Sequence, residues 1–200
     1  MLTDLPNLLT IARIAAIPLL VALAAQHTGW GDGCACIVFA LAAITDWLDG
    51  YLARRQRMLS EFGRMLDPIA DKLLVTAALV LLAGSGRLST PGLYAALLIL
   101  MREILVSGLR EYLAGREIGL PVTRLAKYKT AAQMVALFLL LAGDDGGAWL
   151  TGLRLPVEYV GEALLWAAAL LTLFTGWGYL RAGLRIATQP PASRSDPAPR

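Results

Sequence analysis

Charge is what this sequence has least of. Lysine, arginine, aspartate and glutamate make up 16% of its 200 residues and apolar residues 57%, whereas a soluble globular domain carries about a quarter charged residues. A fully solvated surface is thereby excluded, and the composition is that of an integral membrane protein. Cysteine and histidine are just as scarce. Cys34 and Cys36 stand two apart in an apolar run, too close to bridge across a helix and in no metal spacing, so they read as small buried apolar side chains. His27 stands alone near Trp30, which leaves a zinc site without imidazole and thiolate ligands to draw on. The opening residues MLTDLPNLL lack a basic n-region, and no small-residue cleavage site follows, so the first apolar segment is expected to stay in the chain as a helix. No basic, aromatic-studded stripe is present either. The net charge of +3 comes from residues clustered between apolar segments, which argues against nucleic acid as a partner.

What the chain has in plenty is apolar length. Apolar segments fall near 8–26, 33–53, 68–85, 92–113, 130–143 and 157–180. The fifth is short for a bilayer, so its helix is expected to begin near Leu125. The pattern predicts an all-α polytopic membrane protein with six transmembrane helices. Residues 1–187 form one transmembrane domain, and the proline-rich 188–200 form a disordered tail. Connections near 27–32, 84–92 and 144–156 hold only Arg87 and Arg154 as basic residues. The other side carries Arg54, Arg55, Arg57, Arg64, Arg116, Arg124, Lys127, Lys129, Arg181 and Arg185, which by the positive-inside rule puts both termini in the cytoplasm.

Against this background the stretch DWLDGYLARRQRMLSEFGRMLDPIAD, residues 46–71, stands out. Asp46 and Asp49 are three apart and Asp67 and Asp71 four apart, so on two helices each pair points roughly one way. A turn near 56–61 brings the pairs together. Carboxylates crowded at a membrane edge repel and need cations to stay ionised. Oxygen-only ligands select a hard divalent ion, Mg²⁺ or Mn²⁺, and four carboxylates suffice for two ions. Gly50 leaves the helix face bare for close approach of a nucleotide or phosphate, and Ala53 keeps that face low. Arg54 offers a fork for a phosphoryl oxygen, and Gly63 can act on the second helix as Gly50 does on the first.

Asn7, Thr10 and Arg13 share one side of the first helix by their three-residue steps, and Arg13, inside an apolar run, needs an anionic partner or a route to the interface. Pro68 is expected in the first turn of its helix or at a kink, and Lys72 beside Asp71 suits a carboxylate or a phosphate. Arg102 and Arg110 lie eight apart on one face of the fourth span, with Glu103 directed elsewhere. Convergence of the two arginines with Lys127 and Lys129 favours a dianionic phosphate group as ligand. Trp177 and Tyr179 read as interfacial belt residues.

The residues Asp46, Asp49, Gly50, Ala53, Arg54, Gly63, Asp67 and Asp71 fit the pattern D-x-x-D-G-x-x-A-R-x8-G-x-x-x-D-x-x-x-D at every fixed position. That pattern resembles the signature of the CDP-alcohol phosphatidyltransferases. The resemblance implies an enzyme that transfers a phosphatidyl group from CDP-diacylglycerol, with the four aspartates as ligands of two Mg²⁺ or Mn²⁺ ions and Asp71 also the catalytic base. It implies a nucleotide site at Asn7, Thr10, Asp46, Asp49, Gly50, Ala53, Arg54, Gly63, Asp67 and Lys72. The segments NLLTIAR, REILVSGLRE and KYKTAAQMVAL are similar to the phosphatidylglycerophosphate synthase branch. By that likeness Arg102, Arg110, Lys127 and Lys129 receive glycerol 3-phosphate, and the products are phosphatidylglycerol phosphate and CMP. A homodimer in the inner (cytoplasmic) membrane, among membrane lipids and with its active site facing the cytoplasm, is implied as well. The aspartate pattern by itself leaves serine, inositol phosphate or phosphatidylglycerol open as acceptors. An ion-coupled transporter would instead spread its carboxylates over several depths and show an internal repeat.

Overall fold

In lipid, an apolar run satisfies its backbone polar groups by closing into an α-helix, and each of the six apolar segments does so. The computed structural model describes residues 5–56, 61–114 and 124–188, with the side chains of 5–6, 47–56, 61–64, 114, 124, 126, 182 and 184–188 outside the description. Its elements are α1 (Leu5–Ala24), α2 (Gly29–Gln56), α3 (Glu61–Gly84), α4 (Thr90–Ala114), α5 (Arg124–Thr151) and α6 (Val157–Thr188). The chain is thus an all-α polytopic membrane protein. Among the described residues α1, α2, α4, α5 and α6 are long and apolar enough to cross a membrane. The stretch of α3 beyond Met65 is as long but carries Asp67, Asp71 and Lys72. The expected tail, 189–200, lies outside the described residues.

Helix starts are set by local capping. Thr28 Oγ1 accepts from the Gly31 amide at 3.1 Å, and Ser89 Oγ from the Gly92 amide at 3.1 Å, each satisfying a first-turn donor. The start of α6 is capped from a distance, where Asp144 Oδ1 accepts from the Glu158 amide at 3.1 Å. Two departures from the sequence reading concern helix length. Pro68 lies well inside α3, not in its first turn, because the helix already begins at Glu61. The fifth helix does not stop at residue 143 but is broken there, at Gly143 with φ 59°, and resumes to Thr151. That positive φ suits glycine, and a Cβ at this point would stand 2.9 Å from the Glu158 carboxylate.

The helices run alternately up and down. Both the start of α1 and the end of α6 therefore lie at the end where α2 meets α3, called here the aspartate end. The core is built of Phe39, Leu74, Leu79, Leu82, Ile99, Leu137, Leu140, Leu141 and Leu165, with Ala78, Ala95, Ala136, Ala168 and Ala169 allowing close approach. Around it Leu41, Val80, Leu97, Ile104, Leu170 and Phe174 face outward, an apolar exterior of the kind that meets lipid. Packing is uneven. α5 lies along α6 and α2, α1 along α2 and α3, and α4 along α6, while α3 touches α4 and α5 only sparingly. A cleft opens where those three diverge.

Candidate active site

The first helix is the lid of the aspartate site. Asn7, Thr10 and Arg13, predicted to share a face, are all buried on it. Thr10 Oγ1 donates to Asp67 Oδ1 at 2.6 Å, and Arg13 Nη1 meets Asp46 Oδ1 at 2.7 Å. Arg13 has no exposed side-chain surface, whereas Asp46 is 41% exposed. The arginine has thus found the anion its depth required, and the carboxylate keeps an open flank. Asp46 is close enough to both Asp67 and Asp71 to repel them.

Asp71, near the middle of α3, lies between two groups of charge. It feels Asp46 and Arg13 on one side and Glu103 and Lys129 on the other. Next to it, in the cleft between α3, α4 and α5, is a cavity of about 40 Å³ lined by Asp71, Lys72, Glu103, Lys129, Thr130 and Gln133, among others. Lys72 donates to Ser107 Oγ on α4 rather than to Asp71. Lys129, which α5 carries near its start, is buried and ion-paired with Glu103. Glu103 also takes Arg102 Nη1 at 3.2 Å.

Glu103 is therefore misread from sequence. Adjacent helix positions point about 100° apart, but the guanidinium of Arg102 is long enough to fold back to its neighbour. Arg102 is held further by Thr175 Oγ1 at 3.1 Å and lies over the Tyr179 ring, 5.9 Å from its centre. Arg110 lies over the same ring at 5.7 Å. Tyr179 is thus not a belt residue. It is buried and serves as a platform for two cations, while Trp177 is exposed as expected, with Arg181 at 5.0 Å from its ring. Gly176 lets this happen, since a Cβ there would stand 3.0 Å from Arg102 Cγ.

Of the four residues expected to hold an acceptor phosphate, only Lys129 is among those lining the cavity. Arg102 stands one contact behind it through Glu103. Arg110 joins through Tyr179, and Lys127 is exposed on the first turn of α5. Sequence reasoning misread Glu103 and Tyr179 and passed over Gln133 and Thr175. Gln133 had a usable signal, four positions after Lys129 and so on the same face of α5.

Divalent ions fit the donor set in kind. Among the described carboxylates Asp46 repels both Asp67 and Asp71, all three offer oxygen, and the described contacts of Asp46 and Asp67 use one oxygen of a group with several lone pairs. Among the described residues no three such side chains form a finished metal cluster. The side chains of Asp49, Gly50, Ala53, Arg54 and Gly63 lie outside the described residues.

Comparison with known proteins bears on the same region. The family model for CDP-alcohol phosphatidyltransferase matches residues 3–174. A Rickettsia typhi protein, CDP-diacylglycerol–glycerol-3-phosphate 3-phosphatidyltransferase, is 44% identical over 179 residues, covering 90% of this chain and 96% of that protein. Proteins of the same name from Cereibacter sphaeroides and Shigella flexneri are 40% and 42% identical, each over 90% of this chain and over 96% and 94% of their own lengths.

Proposed function

The chain belongs to the CDP-alcohol phosphatidyltransferase family, and from that premise we propose that it transfers the phosphatidyl group of CDP-diacylglycerol to the 1-hydroxyl of sn-glycerol 3-phosphate. The names of its relatives state that donor, that acceptor and the phosphatidyl group for them, and the products of such a transfer are phosphatidylglycerol phosphate and CMP. The observation that carries this reading for the site is the position of Asp71, between a group of carboxylates on one side and a Lys129–Glu103–Arg102 network on the other.

The acceptor hydroxyl attacks the phosphorus on the diacylglycerol side, the bond to CMP breaks, and Asp71 takes the hydroxyl proton. Lys129, with Arg102 and Arg110 behind it and Lys127 at the rim, holds the acceptor phosphate, which turns the attack into a positioned one. Thr10 and Arg13 hold Asp67 and Asp46 in place. Asn7, Gly50, Ala53, Arg54, Gly63 and Lys72 complete the surface for the cytidine diphosphate. Asp46, Asp49, Asp67 and Asp71 would hold Mg²⁺ or Mn²⁺, which when bound would supply positive charge to offset that of the diphosphate and the CMP leaving group. All six helices cross the membrane, α3 with its carboxylates facing the cleft rather than lipid. In this reading the aspartate end faces the cytoplasm, which the positive-inside rule and the basic connections support, lipid enters laterally, and the chain works as a homodimer.

Purified protein supplied with CDP-diacylglycerol, Mg²⁺ and one acceptor at a time tests this. Glycerol 3-phosphate is expected to yield CMP and phosphatidylglycerol phosphate, and serine, inositol phosphate and phosphatidylglycerol to yield nothing. Turnover with one of those three in place of glycerol 3-phosphate would refute the acceptor assignment.

A further inference from the structure

We propose that Gln133 recognises the hydroxyl of the acceptor that does not react, the one on its central carbon. The proposal rests on glycerol 3-phosphate as acceptor and adds the residue that distinguishes it from other small phosphates. Gln133 is only 3% exposed, and its Oε1 has no hydrogen-bond partner among the described residues. An amide oxygen left unpaired in a buried place is costly, and this one borders the cavity beside Asp71.

The chemistry of the acceptor selects the partner. Oε1 accepts hydrogen bonds only and needs a donor. A dianionic phosphate has no proton to give, and the proton of the attacking hydroxyl goes to Asp71. The nearby ammonium groups point their described hydrogen bonds elsewhere, Lys72 to Ser107 and Lys129 to Glu103, and the donors Lys129 has left are assigned above to the acceptor phosphate. That leaves the central hydroxyl. Its place in the molecule agrees, because it lies between the reacting carbon and the phosphate, as Gln133 shares a cavity with the base Asp71 and lies one helical turn from the phosphate-holding Lys129. The cavity, about 40 Å³, has room for one or two water-sized groups, such as a hydroxyl and the carbon that bears it.

The test compares glycerol 3-phosphate with 3-hydroxypropyl phosphate, which lacks only the central hydroxyl, in the purified full-length protein and in Gln133→Met. Wild type is expected to prefer glycerol 3-phosphate by at least about tenfold in kcat/KM, the kind of discrimination a buried hydrogen-bonding group provides. Gln133→Met is expected to abolish the preference by losing activity on glycerol 3-phosphate alone. Its kcat/KM for the analogue and its KM for CDP-diacylglycerol should stay at wild-type levels, which a general structural defect would not allow. If Gln133→Met does not accumulate, Gln133→Asn, which withdraws the oxygen by one methylene, carries the same comparison. Equal use of both phosphates by wild type, or an intact preference in the variant, overturns the assignment of Gln133. Transfer to neither phosphate by wild type overturns the acceptor reading itself and the Gln133 assignment with it.

Discussion

The two ends of the helix bundle use the same kinds of side chain in opposite ways. At the end away from the aspartate site, charges are spent on structure. Asp32 is buried against Arg87, whose other nitrogen donates to the Leu141 carbonyl at 2.9 Å, beside the break at Gly143. Ser89 meets Glu162, and Asp144 caps α6. At the aspartate end like charges face one another, Asp46 keeps an exposed flank, and Gln133 Oε1 has no partner among the described residues. Opposite charges closed on one another hold a membrane protein together, as Asp32 and Arg87 do even though Asp32 Oδ1 has no hydrogen-bond partner among the described residues and no described cavity beside it. Polar groups left repelling or unpaired beside a cavity are waiting for a ligand.

Stripping divalent ions should separate the ends most sharply. With EDTA, CMP release is expected to fall to background and to return with Mg²⁺ or Mn²⁺, and full activity in the stripped protein would remove the basis of the aspartate assignment. Asp71→Asn is expected to lower kcat by roughly a thousandfold, within the range for loss of a general base, while leaving the melting temperature in detergent unchanged or higher because a repulsion is gone. Near-normal transfer by this variant would show that another group takes the proton.

Arg87→Ala should do the converse. Leaving Asp32 buried without its partner is expected to cost about 3–5 kcal/mol of stability, read as a lower melting temperature, with the acceptor KM of the folded protein unchanged. Lys129→Met should raise the KM for glycerol 3-phosphate by about tenfold or more, the usual worth of a charge-assisted contact, and spare the KM for CDP-diacylglycerol. An equal effect on both substrates would move Lys129 out of the acceptor pocket. The smallest effect is expected from Gly176→Ala, whose added Cβ displaces Arg102 and should raise the same KM by only about twofold to fivefold, since a flexible stem can yield at a cost near 1 kcal/mol.

Much of this was legible before folding. The helices follow from apolar length, and the placing of Asp67 and Asp71 on one helix follows from the same reading, while the side chain of Asp49 lies outside the described residues. The common face of Asn7, Thr10 and Arg13 follows from spacing along a helix, and the structure adds that this face is buried. Contacts between helices were not legible, because a helical period says which side a residue takes and not what that side will meet. Tyr179 read as an interfacial aromatic and became a platform for Arg102 and Arg110. Glu103 read as pointing away and became the link between Arg102 and Lys129. Arg87 counted as a loop charge and became the partner of a buried aspartate.

Composition alone determined that this chain lives in a membrane as a set of helices, because burial in lipid leaves the backbone one solution, and spacing put its acidic motif on two neighbouring helices. Only the tertiary structure decided which charges are satisfied and which are left facing the cleft. That choice depends on how far α3, α4 and α5 stand apart, a distance set by side-chain packing between segments remote in sequence.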